Sequence, residues 1–210
     1  MKIRTLMDLE SALDTDLAWR RREFTTLKFM VESAREHEKK ILIKASIALL
    51  YAHWEGHIKL CSSAYLMYLK HKAPKYRDMT DNFVQMSLGD KFNSGFSIKK
   101  FSSQKDIYEY ICGELDNKFD IDPKVVIDTE SNLKYKVLSN IISQLGLDCK
   151  FYELKENFID SKLIECRNAV AHGEKRDDVE LLEAYNELQK ELLDMISTFN
   201  DMVKDAAQNK

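Results

Sequence analysis

The chain has 210 residues, of which only 6 are Gly and 2 are Pro. Turns and strand connections rely on these two residues, so their scarcity argues against an all-β sandwich or barrel and predicts long helices. The formal net charge is −3, from 32 Lys and Arg against 35 Asp and Glu. No overall basic field therefore attracts nucleic acid or an anionic membrane, and any nucleic-acid contact must be local.

Two long helices are predicted in the N-terminal third of the chain. Residues 5–36 contain no Gly or Pro and carry apolar residues at helical spacing. Residues 38–72 are more apolar and predict the central, most buried helix, in which three alanines let neighbouring helices approach closely. Charged residues interrupt this segment, so it is not a predicted membrane span. Pro74 ends it, because proline has no amide donor and disfavours helical geometry in the preceding residue.

The helical pattern weakens over residues 75–129, which we interpret as an insertion within a single domain spanning residues 1–210. Helical spacing is found in four further segments, residues 103–119, 131–145, 152–171 and the stretch that follows 177. Gly146 and Gly173 are placed to end two of these helices. The predicted fold class is all-α: an up-and-down helical bundle of long helices with an irregular helical insertion.

Polar residues that suit phosphodiester chemistry gather in residues 165–174, which read ECRNAVAHGE. Arg167 offers a fixed cationic fork for phosphate oxygens, Asn168 a neutral donor and acceptor, and His172 a group that titrates near pH 7. On an ideal helix Arg167 and His172 lie roughly 140° apart. Either the helix unwinds at Gly173, or one site combines these residues from two copies of the chain in a two-fold dimer.

The run from Arg167 to His172 resembles the R-x4-6-H motif of the HEPN superfamily. Residues 49–59, LLYAHWEGHIK, resemble the second helix of stand-alone bacterial MAE-type HEPN-like nucleases, and residues 131–133, SNL, are similar to what that branch shows ahead of the motif helix. The resemblance implies a helical bundle that dimerises through its motif helices and cuts RNA without a metal ion. It also implies that His172 acts as general base or acid, with Arg167 stabilising the phosphorane, to leave a 2′,3′-cyclic phosphate and a 5′-hydroxyl.

Two alternatives to this enzyme remain open. The chain is alternatively a non-catalytic HEPN-like module that binds RNA, a nucleotide or a protein. Arg167 and His172 would then be a surface ion-pair residue and a helix-end histidine. In HEPN toxins paired with a nucleotidyltransferase antitoxin, a tyrosine that is adenylylated commonly sits two places after the motif histidine. Glu174 stands there, so control by that partner is not expected, although a toxin or anti-phage role remains an expectation by analogy.

Three polar residues of the predicted central helix also need an account. Glu55 lies in an apolar stretch and requires a partner, which is either Arg167 or RNA at the dimer cleft, or a salt bridge to a neighbouring helix. His53 and His57 are spaced to ligate zinc, but Glu55 lies on the opposite side from His53 and no third ligand is evident. We therefore expect a packed or hydrogen-bonded histidine pair and predict no metal or cofactor.

The cysteines and the remaining aromatic and basic residues predict structure rather than chemistry. The four cysteines contain no CxxC pair and follow no signal peptide, which predicts free thiols in the cytoplasm. Trp19 and Trp54 follow helical spacing and predict core positions, as do the cysteines. The basic run at residues 20–22 predicts a solvated helix face.

Overall fold

The computed structural model describes residues 2–92, 97–175 and 177–209. Within these ranges the chain forms helices and no β-strand, and an isolated bridge joins Lys75 to Lys118. The predicted all-α class is therefore confirmed. No helix among the described residues has the length and apolar character needed to cross a membrane.

Ten α-helices follow one another along the described chain: α1 Leu6–Ser33, α2 Glu36–Lys72, α3 Asp81–Lys91, α4 Phe101–Glu114, α5 Pro123–Val126, α6 Tyr135–Leu145, α7 Lys150–Glu153, α8 Glu156–Phe158, α9 Ile164–Ala171 and α10 Asp178–Gln208. A 3-10 turn, Tyr76–Asp78, precedes α3, and a π-helical turn, Ile159–Leu163, leads into α9. The long helices α1, α2 and α10 pack against one another, and α9 packs on α2. This is the predicted up-and-down bundle.

Capping residues set the ends of these helices. Thr5 and Asp8 form a capping box at the start of α1, in which the Asp8 N–H donates to Thr5 Oγ1 over 3.1 Å and the Thr5 N–H donates to Asp8 Oδ2 over 3.0 Å. At the end of α2, Ala73 adopts a left-handed φ of +48° immediately before Pro74. Gly146 closes α6 with a φ of +69°, which is the cap predicted from the sequence.

The central helix α2 does not bury the face that its sequence predicts. Ile41 and Leu49 are 71% and 44% exposed. An exposed apolar stripe of α2, here called the α2 stripe, consists of Ile41, Ala45, Ala48, Leu49 and Ala52. The three alanines predicted to let neighbouring helices approach closely are therefore exposed in the single chain. The buried faces of α2 include Leu50, Trp54 and Ile58, which are fully enclosed.

Three further burial predictions are wrong. Arg20 was expected on a solvated face and is 5% exposed, whereas Trp19 was expected in the core and is 43% exposed. Cys112 is exposed, and Cys149 is half-buried. Arg20 is buried because side chains of α1 and α2 satisfy its charge, as described below.

Residues 75–129 pack onto the bundle through aromatic side chains. The Phe119 ring lies 5.6 Å from both Tyr76 and Phe83, and the Phe83 ring lies 6.5 Å from Tyr65 of α2. Such edge-to-face pairs add to the free energy gained by burial. The helix predicted over 103–119 is present as α4. This segment places α3 against α6 and α5 against α2.

Candidate active site

The motif helix α9 ends at the glycine predicted to end it. His172 is its C-cap, with φ −90° and ψ 1°, and Gly173 follows with φ +70°. The Gly173 N–H donates to Val170 O over 3.2 Å and the Glu174 N–H donates to Ala169 O over 2.9 Å. This is the Schellman arrangement, and it places His172 at the last position before the chain turns away from the helix axis.

Arg167 lies on an aromatic ring rather than against a carboxylate. Its Cζ stands 5.2 Å from the centre of the Tyr51 ring, and its Nη1 donates to Asn168 Oδ1 over 2.9 Å. The side chain is half-buried. Among the described residues, no Asp or Glu forms an ion pair with it. The guanidinium therefore keeps its positive charge and most of its donors available, held by a cation–π contact.

Tyr51 lies near both Arg167 and Glu55. It is buried, and its hydroxyl accepts the Leu133 N–H over 2.8 Å. Burial raises the pKa of Tyr51, although the Leu133 hydrogen bond and the Arg167 charge oppose that rise. Sequence reasoning missed Tyr51, and the available signal was its position one helical turn before Glu55.

Glu55 has partners in its own helix and in the loop before α6. Its Oε1 accepts from Lys59 Nζ over 2.8 Å and from Thr129 Oγ1 over 2.6 Å. Burial alone would raise the pKa of Glu55, but the hydrogen bonds from Lys59 and Thr129 outweigh burial and the pKa lies below its usual value. The carboxylate is therefore ionised at neutral pH, and its hydrogen bonds go to Lys59 and Thr129.

His172 stands apart from this group. Its side chain is exposed, and no hydrogen bond, ion pair or ring contact joins it to Arg167 within the described part of the chain. The loop that follows it is attached to α2: Lys44 Nζ donates to Glu174 O over 3.2 Å, and Lys40 pairs with Asp178. The structure thus brings Arg167, Asn168, Tyr51 and Glu55 together in one chain, with His172 at the open end of the same helix.

His53 and His57 belong to a buried network between α1 and α2. Asp16 accepts from Arg20 Nε over 2.6 Å and from His57 Nδ1 over 2.7 Å, and Arg20 Nη1 donates to the His53 carbonyl over 2.8 Å. His57 Nε2 lies 3.3 Å from Sγ of Cys61. The two histidines are therefore held by hydrogen bonds, as expected from the sequence, and Asp16 and Arg20 are partners that the sequence did not indicate.

A glycine makes room for this network. A Cβ on Gly56 would stand 3.1 Å from Arg20 Nη2, tighter than nine in ten real Cβ contacts, so the guanidinium would have to shift. Burial lowers the pKa of His57, although the hydrogen bond to Asp16 opposes that effect. Burial would raise the pKa of Asp16, but the hydrogen bonds from His57 and Arg20 lower it overall. At neutral pH the network therefore holds a charged Asp16–Arg20 pair and a neutral His57.

Comparison with known proteins identifies a family over nearly the whole chain. A family model described as RiboL-PSP-HEPN matches residues 15–205. The match confirms the predicted HEPN superfamily and does not single out the MAE-type branch. No curated protein and no solved structure gives a significant match.

Proposed function

Because the chain belongs to the RiboL-PSP-HEPN family, we propose that it is an endoribonuclease in which Arg167 and His172 perform catalysis without a metal ion. The family itself indicates a nuclease or an RNA-binding module. The observation that favours a nuclease is the state of Arg167, a half-buried cation that no carboxylate neutralises among the described residues. A structural arginine in such a position normally has an acidic partner, since burying an unpaired charge is unfavourable.

The proposed chemistry uses one proton acceptor, one proton donor and one fixed cation. A histidine takes the proton of a ribose 2′-hydroxyl, whose oxygen attacks the adjacent phosphorus. The bond to the 5′-oxygen breaks, that oxygen takes a proton from a second acid, and a 2′,3′-cyclic phosphate remains. Arg167 stabilises the negative charge that builds up on the phosphorane oxygens. In-line attack needs backbone freedom, so the substrate is single-stranded or loop RNA.

The neighbours of Arg167 have positioning roles in this proposal. Asn168 Oδ1 holds one arm of the guanidinium and leaves its own amide N–H groups free to orient the phosphate. The Tyr51 ring fixes the other face of the guanidinium. The Leu133 N–H holds the Tyr51 hydroxyl in place, and the Glu55 charge acts on Tyr51 from within the same helix. None of these contacts consumes the charge of Arg167.

We also propose that two copies of the chain share the site. A single chain supplies one motif histidine, whereas the reaction needs both a base and an acid, and a two-fold dimer supplies two. The α2 stripe gives such a dimer an apolar surface. Ala48 of the stripe and Tyr51 lie about 60° apart around α2, so a partner on the stripe would border the side that carries Arg167.

Oligomeric state and cleavage test the shared site together. Ala48→Glu places a charge in the α2 stripe, and we expect it to convert a dimer at micromolar concentration to a monomer in sedimentation and to abolish cleavage. Ala18→Glu is the matched control, because Ala18 is an exposed helical alanine of α1 outside the stripe. A parent protein that sediments as a monomer at this concentration would contradict the shared site.

Cleavage by purified protein tests the proposed function directly. Labelled single-stranded RNA is incubated with the protein in EDTA, and the ends of the products are identified by mass spectrometry. We expect cyclic-phosphate ends, and a rate that falls by about 100-fold or more in both His172→Ala and Arg167→Ala. His37→Ala, at a histidine that is 73% exposed, is the control and should cut normally. Unchanged cleavage in both motif variants would refute the proposal, and tight binding without cleavage by the parent protein would indicate the non-catalytic module.

A toxin or anti-phage role is the cellular setting we propose, supported by the resemblance of the motif segments to stand-alone HEPN nucleases. In that setting expression of the parent protein arrests growth, and His172→Ala relieves the arrest. Equal growth of the two strains would contradict this role and would leave the chemistry to the cleavage assay.

A further inference from the structure

A polar cleft of about 340 Å³ lies between α3, α5 and α6, away from the motif helix. Its polar lining consists of the side chains Asn82, Gln85, Asn140, Ser143 and Gln144, and we call it the amide cleft. The rest of its lining is apolar and comes from α3 and α5. No lining residue is charged. A volume at the lower end of the range for ligand pockets suits one small ring system.

The side-chain amides of the cleft differ in how many of their hydrogen-bonding groups already have a partner. Asn82 is already engaged, since its Nδ2 donates to the Gln144 carbonyl over 2.7 Å and its Oδ1 accepts from Thr80 over 2.6 Å. Gln85 and Asn140 are exposed, and their amides bond to no other described residue. Gln144 Oε1 is shielded from solvent and accepts no hydrogen bond within the described chain. A buried acceptor without a donor costs free energy, which a bound donor would recover.

This composition selects a class of ligand. Each carboxamide presents a donor and an acceptor side by side, and the cleft has no cation for a phosphate and no anion for an ammonium group. The matching ligand is neutral, has adjacent donors and acceptors on one edge and has apolar faces. A nucleobase meets these requirements, and Asn and Gln are residues that read base edges with paired hydrogen bonds.

One chain segment and one hydrogen bond connect the elements of the cleft to those that carry the candidate site. Val126 of the cleft and Thr129, which donates to Glu55, are three residues apart and so at most about 11 Å from each other along the chain. The start of α6 is tied to the π-helical turn before the motif helix, because the Tyr135 N–H donates to Asp160 over 2.8 Å. Asn140 lies about 7.5 Å further along α6.

We propose that the amide cleft binds one unpaired nucleobase of the RNA, outside the bond that is cut, and so gives the enzyme sequence preference. This inference rests on the proposed function and assigns residues 75–129 and α6 a share in substrate choice. The base edge bonds to the exposed amides of Gln85 and Asn140, and its faces contact the apolar lining of α3 and α5. Phosphate contacts lie elsewhere, because the cleft has no positive charge.

Binding of short RNA to protein carrying His172→Ala tests the proposal without substrate turnover. Fluorescence anisotropy measures the dissociation constants of single-stranded 12-mers of A, C and U. We expect one homopolymer to bind most tightly, and Asn140→Leu or Gln85→Leu to weaken that homopolymer by about 5- to 100-fold. The dissociation constant of the weakest-binding homopolymer should change less than twofold in these variants. The salt dependence of binding should not change, because no phosphate contact is lost.

Asn186→Leu is the matched control, an exposed helical asparagine of α10 outside the cleft. It should leave all three dissociation constants within twofold, and circular dichroism checks that every variant is folded. Equal affinity of the parent for the three homopolymers, or a uniform loss in the cleft variants, would overturn the proposal. If the protein does not cleave RNA but its binding still depends on the base and on the cleft residues, only the proposed function is overturned. If it cleaves RNA but its binding shows no such dependence, only the amide-cleft proposal is overturned.

Discussion

Gly173 offers a sharp test of how the motif helix ends. Its φ of +70° is left-handed, and a Cβ added there would meet no atom within 4 Å. Gly173→Ala therefore adds no clash, only the backbone energy of a left-handed L-residue, roughly 1–2 kcal/mol. Alanine also restricts the unfolded chain, which returns about 0.4–1 kcal/mol. We expect a net destabilisation of about 1 kcal/mol, or about 2–4 °C in Tm for a chain of this size.

Replacing a glycine by alanine within a right-handed helix should instead increase the stability of the protein. Gly113 lies inside α4, and its added Cβ would also meet nothing within 4 Å. Gly113→Ala should stabilise the protein by roughly 0.5–1 kcal/mol. Gly173→Asn should fall between Gly173→Ala and the parent, because asparagine tolerates left-handed geometry better. Urea unfolding measures all three variants, and a Gly173→Ala protein as stable as Gly113→Ala would refute the assigned cap.

Three further predictions concern the buried network and the aromatic support of the site. Asp16→Asn should destabilise the fold by about 3–5 kcal/mol, because it leaves Arg20 buried without its counter-charge, whereas Asp14→Asn at an exposed pair should have little effect. Burial lowers the pKa of His57, so below about pH 6.5 the unfolded chain binds a proton that the folded chain does not, and stability falls as the pH falls. Urea titrations at pH 7.5, 6.5 and 5.5 measure both effects, and a free energy of unfolding that stays constant across this range would contradict the second. Tyr51→Phe keeps the ring beneath the motif arginine and should retain more cleavage than Tyr51→Leu; equal rates would exclude a role for the ring.

The sequence predicts the long helices α1, α2 and α10 well because their ends depend on local chemistry, whereas the helix predicted over 152–171 is divided into α8, the π-helical turn and α9. Gly146 and Gly173 adopt the left-handed caps that their positions predict, and α2 ends immediately before Pro74. Which face of a helix is buried depends instead on the tertiary packing of the chain. In α2 apolar and small residues occur nearly all round, so periodicity cannot distinguish the exposed Ile41 from the buried Ile47.

The motif residues of the candidate site could be read from the sequence, whereas the residues that contact them could not. A short motif identifies Arg167 and His172 as candidates, because arginine and histidine have few equivalents for phosphate chemistry. The contact between Arg167 and Tyr51 joins two distant helices, and nothing in either segment alone indicates it. Arg20 is a similar case, since its burial depends on groups of α2 that meet α1 only in the folded bundle.

Arg167 packs on the Tyr51 ring and pairs with no described carboxylate, and this determines which ligands its charge attracts. Within the described chain this cation pairs with no carboxylate, so under the proposed function the RNA phosphodiester is the group that neutralises it. Any polyanion meets that need equally well, and sulfate or heparin should compete with RNA in proportion to charge. The affinity of Arg167 for a phosphate group therefore does not depend on the base sequence. Under the proposed function, discrimination between one RNA and another must come from uncharged surfaces of the protein.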